Sequence, residues 1–75
     1  MVDSVSKSIR DHFGSRVREL REERGYSQEK FAEICGLHRT YISGVERGER
    51  NPTLDVISKI STGLDVDLPC LFQFE

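Results

Sequence analysis

Tryptophan is absent, proline and cysteine occur twice each, and no apolar stretch approaches the roughly 20 residues that a membrane span needs. Each shortage narrows what the chain can be. Two prolines leave helices uninterrupted, and 8% aromatic with 32% charged residues suits a small helical domain better than a β-sandwich. Cys35 and Cys70 are too few for a disulfide scaffold and lack metal-ligand spacing, so they read as two reduced, buried thiols. His12 and His38 have no Cys or carboxylate partner at ligand spacing, so neither metal nor other cofactor is expected. No Cys/His pair, carboxylate pair or phosphate-binding glycine loop is recognisable, which argues against an enzyme. No charged-then-apolar leader opens the chain, and the expectation is a soluble, cytoplasmic protein.

What is present is helix. Seventy-five residues make one domain, 1–75, that buries only about 60% of the surface of its unfolded chain, so marginal stability or help from a partner is expected. Ile9, Phe13, Val17 and Leu20 form an apolar stripe over residues 6–24, interrupted by Gly14 and Ser15 and stopped by Gly25. Ser27 is an N-cap for a second helix, Gln28 to Cys35, with Phe31, Ala32 and Ile34 on its apolar side and Gly36 at its end. Two short helices joined by a tight glycine turn form a helix-turn-helix signature at about 27–46. Thr53 caps a fourth helix carrying Leu54, Val56, Ile57 and Ile60 up to a stop at Gly63. Asp67 and Pro69 open a short last helix. Nothing alternates as a strand would, so the fold class is all-α with five helices.

The third helix, about Arg39 to Glu46, carries the chemistry. At about 100° per residue, Ile42, Val45 and His38 share one side, while Thr40, Ser43 and Arg47 share the other. With Arg39, that outer face holds the side-chain types that read base edges in a DNA major groove. The net charge of −2 argues against nucleic acid, but its distribution weakens the objection. Residues 1–52 carry ten Lys/Arg against nine Asp/Glu, whereas 53–75 carry Lys59 against Asp55, Asp65, Asp67 and Glu75. An acidic pole turned away from a duplex is compatible with Arg39, Arg47 and Arg50 meeting phosphates.

Residues 14–72, with Ser27-Gln28, Gly36, Ile42, Glu46-Arg47-Gly48 and Asn51-Pro52-Thr53 in that order, resemble the lambda repressor and Cro type, or Xre-type, helix-turn-helix domain. The block RTYISGVERGERN most resembles the small controller proteins of restriction-modification systems. The resemblance implies a five-helix lambda-repressor-like fold and a homodimeric transcriptional regulator binding a palindromic operator. It also implies residue roles. Gln28 resembles a glutamine that anchors the second helix to the DNA backbone and braces the recognition helix; its plain alternative is a solvated first-turn residue. Arg39, Thr40 and Ser43 resemble base readers, with Arg39 the candidate for a bidentate bond to guanine. Tyr41 is expected to pack and to place its hydroxyl on a phosphate. Arg47, Arg50 and Asn51 resemble backbone clamps, although Glu46 and Arg47 are equally able to form a local ion pair. His38 stands where a short polar cap is usual, so either another group satisfies the helix start or His38 meets a phosphate.

A single recognition helix contacts too few base pairs to single out one site in a genome, so a two-fold dimer is expected, its recognition helices about 34 Å apart. The segment 64–75 offers a surface for it. Leu64, Val66, Leu68, Leu71, Phe72 and Phe74 are more apolar residues than one face of a small core needs, though some must close the monomer itself. A phage-type repressor or an antitoxin regulator shares every motif, and a protein-interaction module on the same scaffold is the reading from a different class. Glu23, Glu46, Glu49 and the acidic end are candidates for contact with RNA polymerase.

Overall fold

The computed structural model describes residues 2–74, with side chains described from Ile9 to Phe74, and these contain five helices and no strand. They are α1 (Val2–Glu23), α2 (Gln28–Cys35), α3 (Arg39–Glu46), α4 (Leu54–Leu64) and α5 (Leu68–Leu71). Phe13, Val17 and Leu20 of α1 meet Phe31, Ala32 and Cys35 of α2, Ile42 and Val45 of α3, Ile60 and Leu64 of α4, and Leu71 of α5 in a single buried cluster.

The caps follow from local chemistry. Ser27 Oγ accepts the Lys30 N–H at 3.0 Å, Thr53 Oγ1 that of Val56 at 3.2 Å, and Asp67 Oδ1 that of Cys70 at 3.0 Å, each satisfying a donor that the helix itself leaves unpaired. Gly25 and Gly36 follow α1 and α2 with positive φ, the left-handed turn that glycine enters without a Cβ penalty.

Several sequence expectations need correction. Gly14 does not interrupt α1, which runs from Val2 to Glu23, longer than the predicted 6–24 at its start. The glycine is buried because α3 crosses it: a Cβ there would strike the Val45 carbonyl oxygen and lie 2.8 Å from that of Glu46. Gly63 does not end α4 either; Asp65 takes the left-handed cap at φ 57°, and Gly63 makes room for the Cys35 sulfur, 2.6 Å from where its Cβ would be. Ile9 is 55% exposed, since the buried stripe starts one turn later at Phe13, and in α2 Cys35 is buried while Ile34 is exposed.

The C-terminal patch shrinks. Leu64 and Leu71 are 0% exposed, closing the monomer's own core, and have no surface to offer a second copy. Val66 and Phe74 are half-buried against that core. Of the six residues, Leu68 at 49% and Phe72 at 43% remain open. Phe72 stacks on Phe13 at 5.3 Å between ring centroids, and Phe74 on His12 at 5.8 Å, so this apolar surface sits where α5 meets α1. Both cysteines are free, but only Cys35 is buried; Cys70 is half-buried, with Arg16 donating from Nε and Nη2 to its carbonyl at 3.1 and 3.0 Å.

Candidate nucleic-acid interface

The helix expected to enter a groove is held by its inner side. Ile42 and Val45 are buried among α1 and α2 residues, and Glu46 fixes the C-terminal turn. The Glu46 carboxylate, almost wholly buried, accepts from Arg21 Nε at 2.7 Å and Nη2 at 3.1 Å, and from Gln28 Nε2 at 3.0 Å. Arg21 Nη1 donates to the Tyr26 carbonyl at 2.7 Å, so one network ties α1, the turn before α2, α2 and α3 together. The hydrogen bond to Glu46 holds the Arg21 guanidinium charged more firmly than usual, outweighing the opposing effect of desolvation. A buried pair this well hydrogen-bonded fixes geometry, because neither charge has anywhere else to go.

Glu46 therefore pairs with Arg21 and not with its neighbour Arg47. Arg21 was missed as a site residue, although one signal existed: it lies four residues after Val17, a charged side chain on the buried stripe of α1. Gln28 is half-buried and braces α3 through Glu46. Because a carboxylate only accepts, this contact turns the carboxamide nitrogen inward and fixes its orientation.

The outer side is open. Arg39 and Thr40 are exposed and Ser43 half-exposed; helical period turns Thr40 and Ser43 away from Ile42 and Val45, and Arg39 stands open in the first turn beside them. His38 itself caps α3, its Nδ1 accepting the Thr40 N–H at a long 3.4 Å, so no other group need be invoked for the helix start. Past the helix, Arg47 is exposed and pairs with Glu49 at 3.0 Å and with the Ser43 hydroxyl. The Arg47 hydrogen bond and charge hold the Glu49 carboxyl below the usual carboxylate range. An ion pair so exposed is weak and readily exchanged for a phosphate. Arg50 and Asn51 are exposed in the connection to α4, and the Arg50 guanidinium lies over the half-buried Tyr41 ring, 5.2 Å from its centroid. Gln28, Arg39, Thr40, Tyr41, Ser43, Arg47, Arg50 and Asn51 thus all lie on α3, on the helix that α3 leans on, or on the connection that follows.

Comparison with known proteins gives concordant results. A helix-turn-helix family model matches residues 17–69. The control protein C.BamHI of Bacillus amyloliquefaciens is 49% identical over 71 residues, covering 93% of this chain and 88% of that protein. Among solved structures, the restriction-modification controller protein C.AhdI of Aeromonas hydrophila superposes with a TM-score of 0.78 at 52% identity, covering 80% of this chain and 91% of that one. The controller protein C.Esp1396I, solved as a tetramer in complex with its natural 35 base-pair operator, superposes with a TM-score of 0.80 at 35% identity, covering 87% and 86%.

Proposed function

This chain belongs to the helix-turn-helix family, and from that premise we propose that it is a sequence-specific regulator of transcription that binds double-stranded DNA, a control protein of a restriction-modification system. The observation that carries this reading is the division of α3: Ile42, Val45 and Glu46 are locked inward while Arg39, Thr40 and Ser43 stand outward. A helix so held is a rigid presenter of side chains, which is what base discrimination needs.

In this reading Arg39 donates bidentately to a guanine edge, with Thr40 and Ser43 beside it. Gln28 uses the amide hydrogen that Glu46 leaves unused to bond a phosphate, so the bracing contact also aims the anchor. Arg47, once released from Glu49, and Asn51 close on the backbone, and the Tyr41 hydroxyl joins them. Phosphate contacts supply affinity and register, and the base contacts supply choice.

The protein acts as a homodimer on a palindromic operator, the pairing surface being Leu68 and Phe72 together with Ile9 on the adjoining α1. The tetrameric, operator-bound form of C.Esp1396I supports assembly on DNA. Among the described residues no helix is long and apolar enough to cross a membrane, consistent with work in the cytoplasm. Of the acidic side chains considered for contact with RNA polymerase, Glu23 is exposed, Glu46 is consumed inside the fold and Glu49 is paired with Arg47.

Selection from a pool of random duplexes tests the proposal. Wild-type protein should enrich a palindrome, and Arg39→Ala should weaken binding to it by about 1–3 kcal/mol and relax one base pair per half-site. Arg47→Ala should weaken all sequences alike and lower the salt slope by about one. Failure of wild-type protein to enrich any sequence would refute it.

A further inference from the structure

Gly44 is four residues beyond Thr40, and α-helical spacing puts it on the same outward face, yet it is buried. What covers it is Arg50. A Cβ at position 44 would lie 2.8 Å from Arg50 Cγ, 2.9 Å from Nε and 3.4 Å from Cδ, all three nearest atoms belonging to that one side chain. The guanidinium then continues over the Tyr41 ring. An arginine that leaves the backbone after α3 has ended therefore lies back across the outer face of α3.

The backbone gives no reason for glycine here. Gly44 is not among the glycines with positive φ, which are Gly25, Gly36 and Gly48, and glycine weakens a helix interior relative to alanine. What the missing side chain makes room for is the Arg50 stem.

We propose that Gly44 is a specificity-determining residue: its bare backbone is a channel through which Arg50 reaches the outward face of α3 and reads a base edge there. The inference rests on the reading of α3 as the helix that enters the groove. A side chain at position 44 would project from this face at a fixed place. In its stead the chain presents a longer, planar fork of donors, steadied on Tyr41, so that the guanidinium of Arg50 joins that of Arg39 at an eight-residue helix. Residue 44 acts through Arg50 and is a positioning residue for it.

The test uses full-length protein, the duplex that wild type enriches from a random pool, and a mixed-sequence duplex of equal length. Gly44→Ala should keep or raise the melting temperature, because alanine is the better helix former. It should also bind the enriched duplex roughly tenfold or more weakly, the scale of one lost base contact, while mixed-sequence binding changes little. Arg50→Ala should relax the same base pairs, and adding Gly44→Ala to it should change almost nothing further. Arg50→Lys, which keeps the charge and loses the fork, should also lose that preference, and this variant decides the matter if Gly44→Ala does not fold. Wild-type base preference retained in Gly44→Ala or in Arg50→Lys overturns the proposal, as does an equal loss on both duplexes in Arg50→Ala. If wild type enriches no sequence, the parent reading fails in the wild-type arm alone and takes this one with it.

Discussion

Arg21 and Glu46, separated by 25 residues in the chain, meet through two hydrogen bonds of 2.7 and 3.1 Å, and Gln28 joins the same carboxylate. Removing one partner leaves the other charged and buried. Arg21→Ala or Glu46→Ala should therefore lose about 3–5 kcal/mol in urea unfolding, whereas replacing both by apolar residues of similar volume should recover most of it. Single variants within about 1 kcal/mol of wild type would show that the pair is solvated in solution.

Gly14 lies against the last carbonyls of α3. Alanine is favoured over glycine in a free helix, but here its methyl group would collide with backbone that cannot rotate away. Gly14→Ala should lower stability by about 1–3 kcal/mol, and it should weaken DNA binding by tilting α3. An unchanged or raised urea midpoint would show that the two helices have slack.

Leu71 and Phe72 are neighbours with opposite surroundings, one in the core and one 43% exposed. Leu71→Ala should cost about 2–5 kcal/mol of folding stability, as large-to-small core changes do. Phe72→Glu or Leu68→Glu should instead leave the monomer folded, shift sedimentation from dimer to monomer, and weaken operator binding through that shift. A dimer indifferent to both glutamates would place the interface elsewhere.

Burial pushes the Cys35 thiol up to about 11 from its ordinary 9.0. Below pH 9 the thiol holds its proton in both folded and unfolded chains, and its contribution is complete. Between pH 9 and about 11 the unfolded chain ionises first, so stability falls as pH rises, by up to about 3 kcal/mol. Urea midpoints measured across that range should decline more steeply for wild type than for Cys35→Ala. Parallel curves would dispose of the idea. Alkylation at pH 8 should mark Cys70 well before Cys35.

The parts of this structure that are decided locally were legible in the sequence. Ser27, Thr53 and Asp67 cap because their side-chain oxygens reach an N–H three residues on, and Gly25 and Gly36 end helices because they adopt a turn of positive φ. The Ile42 and Val45 seam follows from helical period alone, and with it the outward face of Thr40 and Ser43. What failed was decided at a distance. Gly14 and Gly63 carry the same local signal as Gly25, but they serve a crossing helix and a sulfur atom contributed from elsewhere in the chain. Counting apolar residues at the C-terminus did not say how many the core would take, and it took Leu64 and Leu71 outright. Arg21 stood visibly on the buried stripe of α1; its partner was invisible until α3 was placed.

The convergence of three helices on the Glu46 carboxylate means that loss of the fold carries recognition of DNA away with it. A partly melted molecule would keep its arginines and still be unable to distinguish one promoter from another. The active fraction of this regulator would then track its folded fraction, so modest warming or a single weakened core contact would register as a change in transcript output.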